Sequence, residues 1–289
     1  MTEYGYICGG GLMTLPLTTT EKYDKVSDTW SVRFPLTYKR MFHVSFGNSY
    51  GGFAIGGYDN GYLSSVEKYD DGSDSWSTVS SISTARYGLG AFVISDKGYI
   101  AGGTTSKTET YNPILNTWTT LPDQLTSRYS IFSFTIGSNG YTLGGQTPDS
   151  TCEQYSTIGN YWTPKTSMLT PRRHGTGFAL NNFGFAIDGV TTGNIRTSNV
   201  EKYDDISDSW SPVSPTLFAR QNPASFAISN YGYVVDGEMP SSTATIEEYD
   251  YLLNTWKQKG LLNTATNNTE GFSLNLTGCP SIVCNLSVT

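Results

Sequence analysis

Side chains that can exchange protons or hold charge are concentrated in one part of this chain. The candidates there are Arg172, Arg173, His174, Asp188, Asp236 and Glu238. Imidazole and carboxyl groups are common general acids and bases, and neighbouring charged groups shift one another's pKa values. This sector predicts an acid–base pair or a cation site. The alternative is that Asp is simply tolerated at these turn positions.

A second set of candidates is an arginine that recurs at regular intervals. Its copies are Arg40, Arg86, Arg128, Arg172 and Arg220. A guanidinium binds a carboxylate through paired hydrogen bonds, so a ring of arginines suits a peptide carboxylate or an acidic sugar. The alternative interpretation is that each arginine ties its own segment to neighbouring backbone.

The spacing of the aromatic residues explains why the arginines recur. All six tryptophans take part: Trp30, Trp76, Trp118, Trp162, Trp210 and Trp256. A tyrosine precedes each by seven residues: Tyr23, Tyr69, Tyr111, Tyr155, Tyr203 and Tyr249. The arginine follows ten residues after the tryptophan, with Thr266 in the last copy, and a phenylalanine follows six residues later. The unit therefore repeats every 42 to 48 residues. Self-similarity at such a period is typical of repeat architectures.

Residues 40–79 show the repeat unit most clearly. Alternating residues predict strands over 40–46, 50–55, 65–70 and 75–79, separated by short polar turns. Four strands in series predict an antiparallel meander, the blade of a β-propeller. An Asp or Asn two residues before each tryptophan predicts a turn, because these side chains tolerate left-handed backbone.

The combined pattern resembles the Kelch repeat family. It consists of a glycine doublet such as Gly56-Gly57, then the tyrosine, the tryptophan seven residues on, and the arginine before the next unit. Two units depart from it, with Asp188-Gly189 and Asp236-Gly237 in place of the doublet. The resemblance implies an all-β, six-bladed Kelch-type propeller with four antiparallel strands per blade.

The positions of the first and last strands predict how the ring closes. The chain opens at a second strand, and residues 270–276 supply a lone first strand, so the two ends form one composite blade. We predict a single domain over 1–276 with a tail at 277–289. The predicted blades are 1–33 with 270–276, then about 40–79, 86–121, 128–165, 172–213 and 220–259.

The loops between the second and third strands carry most of the variation in length. Loops on a rigid scaffold often carry function, and in similar Kelch propellers this face commonly grips the partner. Tyr58, Tyr62 and Met13 are therefore candidate binding anchors. The alternative is that these loops vary without a role.

Composition excludes several classes. A formal net charge of -7 argues against nucleic acid as a partner. No apolar run is long enough to span a membrane, and the first residues do not resemble a secretory leader. No phosphate-binding loop, nucleophile elbow or metalloprotease motif is present, so we expect no cofactor, no metal and no catalytic constellation.

Some proteins of the Kelch family are enzymes, so the resemblance also makes an enzymatic function an alternative. Copper oxidases similar to galactose oxidase need two histidines at a crosslinked centre on a seven-bladed ring; this chain has only His43 and His174 and no seventh unit. Kelch mutarotases that act on sialic acid are six-bladed and use charged groups near the pore. Arg172, Arg173, Asp188 and Asp236 keep that alternative open.

We predict a binding propeller that is not an enzyme and presents its loop face to a protein or glycan partner. A homo-oligomer or assembly within a larger particle is compatible with this prediction. The alternatives are a virion or phage surface component, favoured by the weakly charged, Ser-, Thr- and Gly-rich composition, and a sialic-acid-type mutarotase. We expect a cytoplasmic location, or the virion under the first alternative.

Overall fold

The described residues form six four-stranded antiparallel sheets arranged as the blades of a propeller. The computed structural model describes residues 3–12, 15–147, 149–239, 244–264, 266 and 268–275. Blade 1 contains Glu270–Asn275, Glu3–Cys8, Thr20–Asp24 and Thr29–Val32; blade 2 contains Val44–Asn48, Gly51–Ile55, Val66–Asp70 and Ser75–Val79; blade 3 contains Leu89–Ile94, Lys97–Gly102, Thr108–Asn112 and Thr117–Leu121. Blade 4 contains Phe132–Ile136, Asn139–Leu143, Cys152–Ser156 and Tyr161–Lys165; blade 5 contains Thr176–Leu180, Phe183–Ile187, Val200–Asp204 and Ser209–Val213; blade 6 contains Ala224–Ile228, Tyr231–Val235, Ile246–Asp250 and Thr255–Gln258.

Blade 1 closes the ring, as the sequence predicts. Its innermost strand, Glu270–Asn275, comes from the C-terminal part of the chain and pairs antiparallel with Glu3–Cys8. With this strand in place Glu3–Cys8 is paired on both sides, and blade 1 has four strands like the other blades. The predicted tail lies outside the described residues. The described residues contain no helix capable of crossing a membrane.

The turn before each tryptophan is built from one recurring contact. The Asp or Asn at this position has a positive φ in all six blades, for example 54° at Asp28 and 51° at Asn116. Its side-chain oxygen accepts a hydrogen bond from the repeat tyrosine, at 2.8 Å for Tyr23 and Asp28 and 2.8 Å for Tyr111 and Asn116. The turn residue and the tyrosine therefore form one unit, which links the predicted turn to the blade core.

The tryptophans join neighbouring blades. Tyrosine and tryptophan are directly opposite each other on the third and fourth strands, as at Tyr69 and Trp76. The Trp76 indole is 8% exposed and its Nε1 donates to Thr20 Oγ1 of blade 1 at 3.0 Å. The described residues form six apolar clusters, each drawn from two adjacent blades. The hydrophobic core thus lies between the sheets.

The repeated phenylalanine packs onto a glycine of the next blade. Phe46 lies against Gly98, and Phe272 of the closing strand lies against Gly52. A Cβ atom on either glycine would overlap the ring, so a side chain is excluded there by the close approach of two sheets. The same pairing recurs around the ring: Phe226 with Gly5, Phe92 with Gly140, Phe134 with Gly184, and Phe178 with Gly232.

One predicted boundary is wrong. The first strand of blade 2 begins at Val44, not at residue 40. Phe42 has a φ of 53°, so the chain turns there before it enters the sheet. Residues 40 and 41 instead form isolated bridges with Leu17 and Tyr58 on the loop face. The sequence does not reveal such a turn, because Phe, unlike Gly or Asn, rarely adopts a left-handed backbone.

Candidate functional site

The first strands of the six blades surround a central channel. It contains a cavity of about 340 Å³, which is within the usual size range of small-molecule sites. Three of its serines bridge to the backbone of the preceding blade: Ser45 to Gly271 O at 3.0 Å, Ser133 to Ala91 O at 2.7 Å and Ser225 to Gly177 O at 3.0 Å. These bonds tie alternate blade pairs together and orient the channel wall.

The loop-face end of this channel narrows to a neck. Six equivalent residues, each two positions after the repeat arginine or Thr266, form it: Phe42, Gly88, Ser130, His174, Asn222 and Asn268. All six have a positive φ, and three inter-blade backbone bonds join them, such as Asn222 N to His174 O at 2.7 Å. The neck holds about 40 Å³, which is close to the ~30 Å³ of a single water molecule.

Phe42 is the unusual member of this ring. A left-handed backbone suits Gly and Asn, whereas a bulky residue such as Phe rarely adopts it. At Phe42 the φ is 53°, and the side chain lies beside the neck. Backbone strain of this kind concentrates at ligand sites, where the surrounding structure holds it in place. The strained backbone at Phe42 therefore marks the neck as a candidate ligand site.

Glu270 is the acid of the neck. It is the first residue of the closing strand and lines both the neck and the channel cavity. The equivalent positions carry no carboxyl: Val44, Gly90, Phe132, Thr176 and Ala224. Burial in the channel raises the pKa of Glu270 from 4.5 to about 8. At neutral pH the side chain is a protonated acid that can donate a proton.

His174 is the corresponding base. Burial first, and then the charge of Arg173, lowers the pKa of His174 to about 4, despite a hydrogen bond with Asn222. Its imidazole is therefore neutral at pH 7 and can accept a proton. A protonated carboxyl and a neutral imidazole at one aperture have the complementary states that acid–base chemistry requires.

Two further polar atoms at the neck find no hydrogen-bond partner among the described residues. They are Nδ1 of His43 and Oγ1 of Thr269, and both side chains are buried. The other ring nitrogen of His43 lies 3.5 Å from Cys8 Sγ, and burial holds the pKa of His43 well below its usual value. Buried polar groups are normally satisfied, so these atoms suit a bound hydroxyl or water.

The repeat arginines do not line the neck; they form buried ion pairs. Each forms an ion pair with a buried glutamate on the third strand of its own blade, as Arg40 Nη2 with Glu67 Oε1 at 2.9 Å and Arg172 Nη2 with Glu201 Oε1 at 3.1 Å. The remaining pairs are Arg86 with Glu109, Arg128 with Glu153, and Arg220 with Glu247. The guanidinium groups are buried and are not open to a ligand.

The glutamates were missed in the sequence, although a signal for them is present. A Glu stands two residues before the repeat tyrosine in all six units. In blade 1, where Thr266 replaces the arginine, Glu21 accepts hydrogen bonds from the backbone nitrogens of Asn263 and Thr264 at 3.0 Å each. These carboxylates therefore hold the connections between blades.

Asp188 and Asp236 are sealed inside the blades. Asp188 accepts from Thr216 Oγ1 at 2.5 Å and pairs with Arg220 Nε at 3.2 Å. Asp236 accepts from the backbone and hydroxyl of Thr266 at 2.6 Å each. Burial raises the pKa of both to about 7. Neither lines the neck where His174 lies, so the acid of the site is Glu270, a residue that the sequence analysis did not single out.

The other loop-face candidates are divided between two sides of the face. Arg173 Nη2 donates to Asn194 Oδ1 at 2.7 Å, and Glu238 accepts from Arg196 and Gln221 at 2.5 and 2.7 Å. Tyr58 and Tyr62 lie together on a different loop, with ring centroids 6.3 Å apart. Met13 lies outside the described residues. Among the described residues no group of three or more potential metal ligands is found.

Comparison with known proteins identifies the architecture. The Kelch motif matches residues 53–83, which span most of blade 2. The chain is a six-bladed β-propeller, and its second blade matches the Kelch motif. No curated protein sequence matches it. Among solved structures, "Structure of YjhT" superposes with a TM-score of 0.74 at 12% identity, covering 88% of this chain and 97% of the other. At that identity the likeness shows the fold.

The shared fold corrects one prediction. The expectation that the chain is not an enzyme is wrong as stated, because the ring superposes on almost the whole of YjhT. The virion and phage hypothesis finds no support in these comparisons. The cytoplasmic location stays a prediction.

Proposed function

We propose that this propeller binds a cyclic sugar at the mouth of its channel and interconverts the sugar's anomers. One observation carries the proposal: the neck unites Glu270, protonated at neutral pH, with His174, neutral at the same pH. The side chains around them, Ser130, Asn222 and Thr269, carry hydroxyl and amide groups and suit a ligand rich in hydroxyl groups.

The size of the neck determines how a sugar can approach. Its volume of about 40 Å³ admits one hydroxyl or hydroxymethyl group but not a whole sugar ring. The ring would rest on the loop face, against Phe42, with its anomeric hydroxyl directed toward the buried atoms of His43 and Thr269. Those two unsatisfied groups would then gain hydrogen bonds.

The reaction needs only proton transfers and one reversible bond cleavage. The imidazole of His174 takes the proton of the anomeric hydroxyl, the bond between the anomeric carbon and the ring oxygen breaks, and its electron pair goes to the ring oxygen. Glu270 donates its proton to that oxygen, and the anomeric carbon becomes a carbonyl. Rotation of the open chain and the reverse transfers give the other anomer and restore both groups.

Anomer exchange measured by NMR tests the proposal, with free N-acetylneuraminic acid, galactose and glucose as probes. We expect Glu270→Gln and His174→Asn each to slow exchange by about 100-fold or more, the usual contribution of a general acid or base. Asn tolerates the left-handed backbone at position 174. Asp96→Asn, on the opposite face, is the matched control and should leave the rate unchanged. No exchange with any probe, or unchanged rates in both variants, would refute the proposal.

A further inference from the structure

Five aromatic side chains form a continuous arc that leads from the neck onto the loop face. This aromatic arc consists of Phe42, Tyr58, Tyr62, Tyr87 and Tyr129. Ring centroids are 6.1 Å apart for Phe42 and Tyr87, 5.1 Å for Tyr87 and Tyr62, and 5.7 Å for Tyr87 and Tyr129. Phe42 lines the neck, so the arc begins at the site.

The rings of the arc are tilted against one another instead of stacked. The interplanar angles are 59° for Phe42 and Tyr87, 43° for Tyr62 and Tyr87, and 57° for Tyr87 and Tyr129. Tilted contacts leave ring faces uncovered by their neighbours, in contrast to the stacked pairs of the core such as Phe92 and Tyr99 at 6°. Tyr62, which lies between Tyr58 and Tyr87, is 54% exposed. The arc therefore offers aromatic faces to a ligand.

The backbone holds this surface in place before any ligand binds. Tyr58 and Met41 exchange backbone hydrogen bonds of 2.9 and 3.2 Å, and Tyr58 also bridges to Tyr62 across the tip of its loop. Leu63 N donates to Gly57 O at 2.9 Å and closes the loop. A rigid aromatic surface loses little conformational entropy on binding, which favours its use as a binding anchor.

We propose that the aromatic arc is a subsite for further sugar residues of an oligosaccharide whose terminal unit occupies the neck. This inference rests on the proposed function and extends it from a single sugar to a chain. The apolar C–H face of a sugar ring packs on an aromatic face, and the tyrosine hydroxyl offers a polar tip for the ring's hydroxyls. The arc continues past one ring, from Phe42 through Tyr87 to Tyr62, so it provides for more than one sugar unit.

An oligosaccharide array followed by isothermal titration calorimetry tests the subsite. For the best array ligand and its terminal monosaccharide, we expect Tyr62→Ala to weaken the oligosaccharide about tenfold, the value of one aromatic contact, and to leave the monosaccharide unaffected. Tyr50→Ala is the matched control, because Tyr50 is an exposed tyrosine in a turn on the opposite face. It should change neither affinity.

The outcomes separate this inference from the proposed function. Equal weakening of both ligands by Tyr62→Ala, or no weakening, would overturn the subsite. Anomer exchange without oligosaccharide binding would overturn the subsite alone. Tyr62-dependent oligosaccharide binding without anomer exchange would support the arc and reject the catalytic role of Glu270. Selective capture of a protein, with no array ligand bound, would also reject the subsite.

Discussion

The Cα atom of Glu270 is paired with that of Cys8 in the antiparallel ladder that closes the ring. The acid of the neck is therefore delivered by the strand that completes blade 1. Cys8 Sγ in turn lies 3.5 Å from Nε2 of His43, so the same junction supports a second neck residue. The strand that closes the ring therefore also supplies the acidic residue of the neck.

Anomer exchange should be bell-shaped in pH. The reaction needs His174 neutral, with a pKa of about 4, and Glu270 protonated, with a pKa of about 8. We expect kcat/KM to be highest between about pH 4 and 8, to fall below it as His174 gains a proton, and to fall above it as Glu270 loses one. Rates that stay constant from pH 6 to 10 would contradict the role of Glu270.

Replacing Glu270 should make the protein more stable at alkaline pH. The pKa of Glu270 is raised from 4.5 to about 8 in the folded protein, so the folded state holds the proton more tightly. This contribution to stability is complete below pH 4.5 and is lost as the pH rises to about 8. Glu270→Gln removes the loss, so its Tm should exceed that of the native protein at pH 9 and be similar at pH 4.

Thermal unfolding at both pH values measures this effect, with Asp96→Asn as the control on the opposite face. The decisive quantity is the change in the Tm difference between pH 4 and pH 9. A Glu270→Gln variant whose Tm difference is the same at both pH values would show that the carboxyl is well solvated in the channel.

Breaking one buried ion pair should be costly. Arg86 is fully buried and pairs with Glu109 at 2.5 Å, and burial lowers the pKa of Arg86 while the Glu109 charge opposes the shift. Arg86→Ala leaves Glu109 buried without its countercharge, so we expect a loss of about 3–5 kcal/mol in urea unfolding. Arg33→Ala removes a partly exposed pair with Asp74 at 4.0 Å and should cost no more than about 1 kcal/mol. Equal losses would contradict this difference.

The glycine under each phenylalanine should not tolerate a side chain. A methyl group at Gly98 would overlap the ring of Phe46 from blade 2. We expect Gly98→Ala to lower the free energy of unfolding by about 1–3 kcal/mol, the usual cost of overpacking. Gly61→Ala is the control, since no atom lies within 4 Å of its added Cβ. A neutral Gly98→Ala would mean that adjacent blades separate easily.

The repeat made the blade count and the closure predictable. Tyrosine and tryptophan seven residues apart become directly opposite partners across a hairpin, as at Tyr69 and Trp76, so their spacing encodes the hairpin itself. The start of the first strand was not predictable, because Phe42 adopts a left-handed backbone that is rare for Phe and has no sequence signature. The partners of the buried arginines could have been predicted, because a Glu stands two residues before every repeat tyrosine.

The architecture could be predicted from the sequence, because the repeated contacts are local: the Tyr hydroxyl and its Asp or Asn lie five residues apart, as at Tyr23 and Asp28. The site could not be predicted in this way. Glu270, His174 and His43 come from three different blades and meet solely because the ring brings their first strands around one channel. Their altered pKa values arise from burial in that channel, and burial is a property of the assembled ring.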